Sequence, residues 1–169
     1  MQSSPFKNPT KDDLLKGSDA ITRDDIRWSQ CDTKATSLLA NVMFAQEAKN
    51  HGVEEVILIR DGIVTECSSS NLFLVKNNCI YTHPKGLYIL PGITREMIID
   101  CAKYCDIEVK EVPFNKGSLM DADEVWISSS TREVVPITRI DDSPVNNGKV
   151  GEIWSLIYER YQEIKNINI

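Results

Sequence analysis

The chain has 169 residues, of which 41% are hydrophobic and 26% charged, and its formal net charge at pH 7 is −6. This length fits one domain with a real core, and the acidic balance argues against nonspecific binding to nucleic acids. No apolar run is long enough to span a bilayer and the polar first 13 residues do not resemble a signal peptide, so we expect a cytoplasmic protein without membrane partners.

The first third of the chain predicts a surface segment over residues 1–20, with one helical turn capped near Thr10. A short strand is expected over residues 26–30, leading to Lys34. A helix follows over residues 36–51 and ends at Gly52. Its apolar stripe consists of Leu38, Leu39, Val42, Met43 and Ala45.

Short strands dominate the middle of the chain. The turn signals Asp61-Gly62 and Asn77-Asn78 each separate two apolar runs and therefore predict two hairpins. Further strands are expected over residues 108–112, 125–127 and 137–140.

Two more helices complete the prediction, one beginning at Thr94 as its N-cap and one over residues 151–165. Paired strands with a few packing helices indicate a mixed α/β or α+β domain.

The five cysteines are an odd number without the spacing of a disulfide framework, which favours reduced thiols in a cytosol. The two histidines, His51 and His83, lie far apart and lack Cys-x-x-Cys partners. We therefore expect no metal site.

Lys34, Glu66 and the Gly92-Ile93-Thr94 turn are the strongest candidates for chemistry. A lysine amine can condense with an aldehyde, and a carboxylate can keep a pyridinium nitrogen protonated. A helix start with free N–H groups can hold a phosphate. These are the three groups that pyridoxal phosphate needs from a protein.

Taken singly, each candidate has an ordinary structural interpretation. Lys34 is also typical of a solvated surface lysine, and Glu66 of an exposed residue at a strand end. Thr94 would serve a plain helix start. The hydroxyls of Ser68, Ser69 and Ser70 can bind a cofactor or substrate carboxylate or bond their own backbone, and those of Ser129 and Ser130 fit a phosphate site or an ordinary turn.

In order and spacing, these motifs resemble those of the class IV aminotransferases, which are the fold-type IV pyridoxal-phosphate enzymes. Within that family, the D-amino-acid aminotransferases are the most similar group. The resemblance extends over nearly the whole chain, from about residue 19 to 163. The matching stretches are residues 25–34, 60–66, 68–71, 81–84, 92–95, 109–114 and 147–151.

The resemblance implies a fold and a set of roles. The fold would be a mixed, mostly antiparallel sheet or pseudo-barrel with packing helices. Lys34 matches the lysine that binds pyridoxal 5′-phosphate as a Schiff base, and Glu66 matches the carboxylate on the pyridine nitrogen. The other matches are Leu90 beside the ring, Ser68, Ser69 and Ser70 near it, and Ile93, Thr94, Ser129 and Ser130 around the phosphate.

Two departures from the family pattern stand out. Cys67 occupies a position where close relatives are expected to have glycine. Family members also carry a smaller domain of about a hundred residues before the lysine. We therefore expect residues 1–25 to be an interdomain remnant and residues 26–169 to be the cofactor-binding C-terminal domain, with the small N-terminal domain absent.

The resemblance implies transamination between a D-amino acid, D-alanine first, and a 2-oxo acid such as pyruvate or 2-oxoglutarate. It also implies a homodimer. A branched-chain aminotransferase and an aminodeoxychorismate lyase share the fold and stay open as alternatives. A third alternative is an inactive domain that acts only as a binding module, since we expect the 169-residue chain alone to lack activity.

Overall fold

A mixed sheet of ten strands organises the computed structural model, which describes residues 9–167. The strands are β1 (Ser18–Asp24), β2 (Glu55–Arg60), β3 (Ile63–Cys67), β4 (Asn71–Lys76), β5 (Cys79–Thr82), β6 (Val109–Glu111), β7 (Phe114–Asn115), β8 (Glu124–Ser129), β9 (Glu133–Ile140) and β10 (Ser143–Pro144). The helices are α1 (Lys11–Leu14), α2 (Leu39–His51), α3 (Ile93–Tyr104), α4 (Lys116–Met120) and α5 (Glu152–Ile167), with a 3₁₀ turn at Asn146–Gly148. Both predicted hairpins are confirmed as β2–β3 and β4–β5.

The strands run in the order β6-β5-β4-β8-β9-β1-β2-β3-β7, and β10 pairs with β9. Most neighbours are antiparallel, and β1 runs parallel to both β2 and β9. Four strands separate β3 from β4 in this order, so a flat sheet would hold the two about 24 Å apart. Residues 68–70 join them directly, and this link reaches only about 14 Å. The sheet therefore curls, and the predicted pseudo-barrel-like α/β fold is confirmed.

The strand predicted at residues 26–30 is wrong, because that stretch is irregular and the strand lies earlier, at β1. β1 occupies the middle of the sheet, between β9 and β2, so part of the expected interdomain segment belongs to the sheet itself. The polar strand residue Thr22 is buried there because Asp141 accepts hydrogen bonds from its amide, at 2.8 Å, and from its hydroxyl. Residues 1–8 of the predicted surface segment fall outside the described residues.

Helix α2 connects the parallel strands β1 and β2 and packs on β2 through Phe44 and Ala48. The apolar stripe predicted from Leu38 to Ala45 does not face this core. Leu39 is 75% exposed and Val42 is 61% exposed. The predicted end of the helix is confirmed, since Gly52 adopts a left-handed conformation with φ of 68°.

The main core lies between the sheet and the helices α3 and α5, where Trp126, Trp154 and Ile98 are fully buried. Trp126 stacks on Phe73 of β4 with ring centroids 5.7 Å apart. This packing holds the N-terminus of α3 close to the ends of β4 and β8. No helix in residues 9–167 is both long and apolar enough to cross a membrane.

Candidate active site

A cavity of about 370 Å³ opens between the loop after β1, the β3–β4 turn, the start of α3 and the end of β8. This volume lies within the range of pockets that bind small molecules. Almost all of the predicted site residues line it: Lys34, Glu66, Ser68, Ser69, Ser70, Leu90, Thr94, Ser129 and Ser130. Ile93 is the exception, because this residue is 77% exposed and does not line the cavity, which leaves only its backbone amide as a candidate at the helix start.

Lys34 reaches the cavity from the irregular loop that follows the C-terminal end of β1. Cys31 Sγ contacts the Trp28 carbonyl oxygen at 3.2 Å, and the Cys31 amide donates to the Leu87 carbonyl at 2.7 Å. These contacts fix the loop just before the lysine. Within residues 9–167, the Lys34 amine forms no hydrogen bond and no ion pair. It is therefore free to react with a molecule in the cavity.

Glu66 lies near the end of β3, and its carboxylate is buried against the cavity wall. The Arg27 guanidinium donates to its Oε1 atom at 2.5 Å. Its Oε2 atom accepts from Asn71 Nδ2 at 2.9 Å and from the Leu90 amide at 3.1 Å. Burial raises the pKa of Glu66 to about 7, although Arg27 lowers it. The exposed strand-end interpretation of this glutamate is wrong.

Arg27 is a residue of this site that the sequence analysis did not single out. Its guanidinium also binds Asp25, through Nε to Oδ1 at 2.9 Å and Nη2 to Oδ2 at 3.0 Å, and Asp25 is paired in turn with Arg60. Burial lowers the pKa of Arg27, but the two carboxylates outweigh it and raise the pKa above its ordinary range. Arg27 stays charged, and it holds Glu66 in place. A lone arginine in a polar loop gives no sequence signal of this role.

The serines of the β3–β4 turn are bound by a second buried carboxylate, that of Glu55. Ser68 donates to its Oε1 atom, and Ser69 and Ser70 donate to Oε2 at 2.9 and 2.8 Å. Arg132 also binds it, with Nη2 2.5 Å from Oε2.

Burial raises the pKa of Glu55, but the Arg132 charge and the serine hydroxyls outweigh it, and the net pKa lies below its usual value. The three serine hydroxyls therefore orient the turn toward Glu55. Neither interpretation of the sequence, contact with a cofactor or substrate or a bond to the local backbone, included this partner. Arg132 also donates its amide to Ser129 Oγ at 3.1 Å, which ties the turn after β8 to the same network.

The start of α3 supplies the candidate anion site. Its N-cap is Gly92, and Thr94 is the second residue of the helix, so the predicted N-cap at Thr94 is wrong. The first amides of a helix have no carbonyl partner within it, and they carry a partial positive charge. Thr94 is buried on the cavity wall beside them. A side chain at Gly92 would place its Cβ 2.5 Å from Asn71 Oδ1, so glycine lets the backbone lie against the cavity wall.

The residues present fit pyridoxal phosphate in three respects. A free lysine amine can bind an aldehyde, a buried carboxyl group whose pKa is near 7 can share a proton with a pyridine nitrogen, and amides with hydroxyls can bind a phosphate. In addition, the hydroxyl of Ser128 is buried at the cavity without a partner among the described residues.

Comparison with known proteins supports the same kind of site. The family model described as "Amino-transferase class IV" matches residues 1–140. The D-alanine aminotransferase of Bacillus licheniformis is 44% identical over 149 residues, which cover 88% of this chain and 52% of that protein. The chain thus spans about half the length of the curated relatives it matches.

Solved structures of branched-chain aminotransferases share the fold. The enzyme from Thermoproteus uzoniensis with norvaline has a TM-score of 0.82 at 30% identity, over 95% of this chain and 54% of that one. A T.th. branched-chain amino acid aminotransferase with pyridoxamine 5′-phosphate also has a TM-score of 0.82, at 29% identity, over 91% of this chain and 52% of that one.

Proposed function

Because the chain belongs to the class IV aminotransferase family, we propose that it carries the cofactor site of an enzyme that transfers an amino group from a D-amino acid to a 2-oxo acid. Members of this family use pyridoxal 5′-phosphate, the cofactor expected from the sequence. The observation that carries the proposal is the convergence of Lys34, Glu66 and the start of α3 on one cavity.

Each of these groups has a distinct task. Pyridoxal phosphate, when bound, supplies an electron sink that makes the α-hydrogen of an amino acid acidic. Lys34 Nζ would hold the cofactor covalently between turnovers and carry a proton to and from the substrate α-carbon. Glu66 would bind the pyridine nitrogen and hold its proton, and Arg27 would keep the Glu66 carboxylate in position.

The cavity wall would orient the rest of the cofactor. The first amides of α3, together with Thr94, Ser129 and Ser130, would bind the phosphate. Leu90 would pack beside the ring, with its amide bonded to Glu66. The Ser68–Ser70 turn would shape the side of the cavity near the ring through its bonds to Glu55.

D-alanine is the proposed donor because the 44% identity to a D-alanine aminotransferase exceeds the 30% identity to the branched-chain enzymes. The second candidate is a branched-chain aminotransferase, which the TM-score of 0.82 to two such enzymes favours.

The test is an assay of the 169-residue chain, both alone and completed with the small N-terminal domain that the family resemblance implies. Pyridoxal phosphate and 2-oxoglutarate are present, and D-alanine, L-leucine or aminodeoxychorismate is supplied separately. Pyruvate formed from D-alanine, and lost in Lys34→Ala, supports the proposal. Turnover of L-leucine alone would favour the branched-chain enzyme, and turnover of aminodeoxychorismate alone the lyase. Cofactor binding without any turnover, even by the completed protein, would favour the binding module.

We also propose that the protein acts as a homodimer in the cytoplasm. Apolar side chains that are exposed beside the cavity support the homodimer, because a partner subunit would cover them. They include Trp28, Leu39, Val42 and Met43. Sedimentation of the purified chain tests the homodimer, since a single species of monomer mass would contradict it.

A further inference from the structure

The hydroxyl of Ser128 is a buried polar group without a partner. The residue is 2% exposed, and among the described residues nothing forms a hydrogen bond with its Oγ atom. A hydroxyl has one donor and two acceptor sites, and buried polar groups in folded proteins are almost always bonded. Because Ser128 also lines the cavity, a bound molecule is the natural partner.

The register of the sheet places Ser128 on the wall that holds the candidate cofactor residues. It lies directly opposite Asn71 in the antiparallel pair β4–β8, and directly opposite residues project from the same face of a sheet. Asn71 Nδ2 reaches Glu66 Oε2 at 2.9 Å and the Leu90 carbonyl at 2.8 Å from that face. The next residue, Ser129, ends β8 and also lines the cavity.

We propose that Ser128 is a cofactor-binding residue whose hydroxyl donates a hydrogen bond to an oxygen of bound pyridoxal phosphate. This inference rests on the proposed function, because it names a further contact in the same site. It distinguishes Ser128 from the serines of the β3–β4 turn, whose hydroxyls already donate to Glu55. The Ser128 hydroxyl has no such protein partner among the described residues and is free for a ligand.

The test compares Ser128→Ala with the wild-type chain in titrations with pyridoxal phosphate, followed by the absorbance of the lysine-bound cofactor. The dissociation constant should rise about tenfold, as expected for the loss of one hydrogen bond to a polar or charged group. Ser128→Thr, which keeps a hydroxyl, should recover most of the affinity. The matched control is Ser155→Ala, which should bind the cofactor as the wild type does. Ser155 lies in α5 and does not line the cavity, and its hydroxyl donates to the Gly151 carbonyl at 3.2 Å.

Thermal unfolding without cofactor supplies the second measurement. Since the hydroxyl has no described protein partner to lose, Ser128→Ala should melt at the wild-type temperature or above it. Weaker binding with an unchanged or higher melting temperature supports the inference. Equal dissociation constants would overturn it, and so would a loss of affinity that accompanies a drop in the melting temperature of the cofactor-free chain.

Titration with pyridoxal, which lacks the phosphate, locates the contact. A loss of affinity for both ligands places the Ser128 hydroxyl at a ring oxygen, and a loss confined to pyridoxal phosphate places it at the phosphate; either result supports the inference. If the wild-type chain binds no cofactor, the proposed function and this inference both fail. If the wild type binds and Ser128→Ala binds equally well, only the inference fails.

Discussion

Replacing Arg27 by methionine should lower the free energy of unfolding, because Glu66 loses its partner. The Arg27 side chain is 3% exposed, and those of Glu66 and Asp25 are 7% and 0% exposed. Without the guanidinium, Glu66 loses its only ion-pair partner among the described residues, while Asp25 keeps Arg60 at 3.2 Å. Removing one partner of a buried ion pair destabilises a protein by about 3–5 kcal/mol, because the other charge stays buried and unpaired.

The loss of stability in Arg27→Met should depend on pH, because the Glu66 carboxylate can take up a proton. Its pKa is about 7 with Arg27 present, and loss of the lowering charge must move it higher. At pH 5.5 the carboxyl group of Arg27→Met is neutral and tolerates burial, whereas at pH 8 it must either stay charged without a partner or bind a proton from dilute solution. We therefore expect a larger destabilisation at pH 8 than at pH 5.5.

Urea unfolding of the wild type, Arg27→Met, Glu66→Gln and the double variant at pH 8 measures the coupling. Arg27→Met should lower the free energy of unfolding by less in the Glu66→Gln background than in the wild type. The interaction energy should be about 1.5 kcal/mol or more, as for residues in direct contact. Costs that add to within about 0.5 kcal/mol would show that the two side chains act independently, and would refute this account of the site.

Three further predictions concern the same cavity wall. The folded-state pKa of Glu66 is about 7, above its ordinary value of 4.5, so the stability that Glu66 contributes is complete below pH 4.5 and is lost as the pH rises to about 7. In urea titrations, the free energy of unfolding of the wild type relative to Glu66→Gln should therefore fall by roughly 3 kcal/mol over that interval. A difference that does not change with pH would contradict this prediction. Glu55→Gln should destabilise the chain by about 3 kcal/mol, the lower end for a buried ion pair, because the Arg132 side chain is 23% exposed. It should also speed hydrogen exchange in the β3–β4 turn, and unchanged exchange there would show that Glu55 does not order the turn. Gly92→Ala should cost about 1–3 kcal/mol through the clash with Asn71 Oδ1, and less in an Asn71→Ala background, whereas an equal cost in both backgrounds would place the strain elsewhere.

The sequence predicted the hairpins, α3 and α5, because tight-turn signals and 3.6-residue periodicity are local. The predicted site residues other than Ile93 line the cavity, but their roles came from the family resemblance and not from a local pattern. The prediction failed at residues 26–30, where Ile26 and Trp28 alternate with polar residues as in a strand. In the structure Ile26 is 64% exposed and Arg27 is buried. The ion pair of Arg27 with Glu66 joins residues 39 positions apart, and such long-range pairing is not visible in a local pattern.

The apolar stripe of α2 failed for a related reason. Periodicity shows that one face of a helix is apolar but not what covers that face, and here Phe44 and Ala48 make the contact with β2. The partners inside the site were equally hidden. Glu55 is 13 residues before Ser68, and Arg132 is 77 residues after Glu55, so only the curled sheet brings the three together.

Covalent trapping tests most directly whether Lys34 is the residue that binds the cofactor. The chain is incubated with pyridoxal phosphate, reduced with borohydride, digested and mapped by mass spectrometry. Lys34 should carry the reduced adduct in the wild type and in Lys49→Ala, a control on exposed α2 outside the cavity, and Lys34→Ala should carry none while keeping its fold. An adduct that persists in Lys34→Ala, or that spreads evenly over other lysines in the wild type, would contradict this role of Lys34.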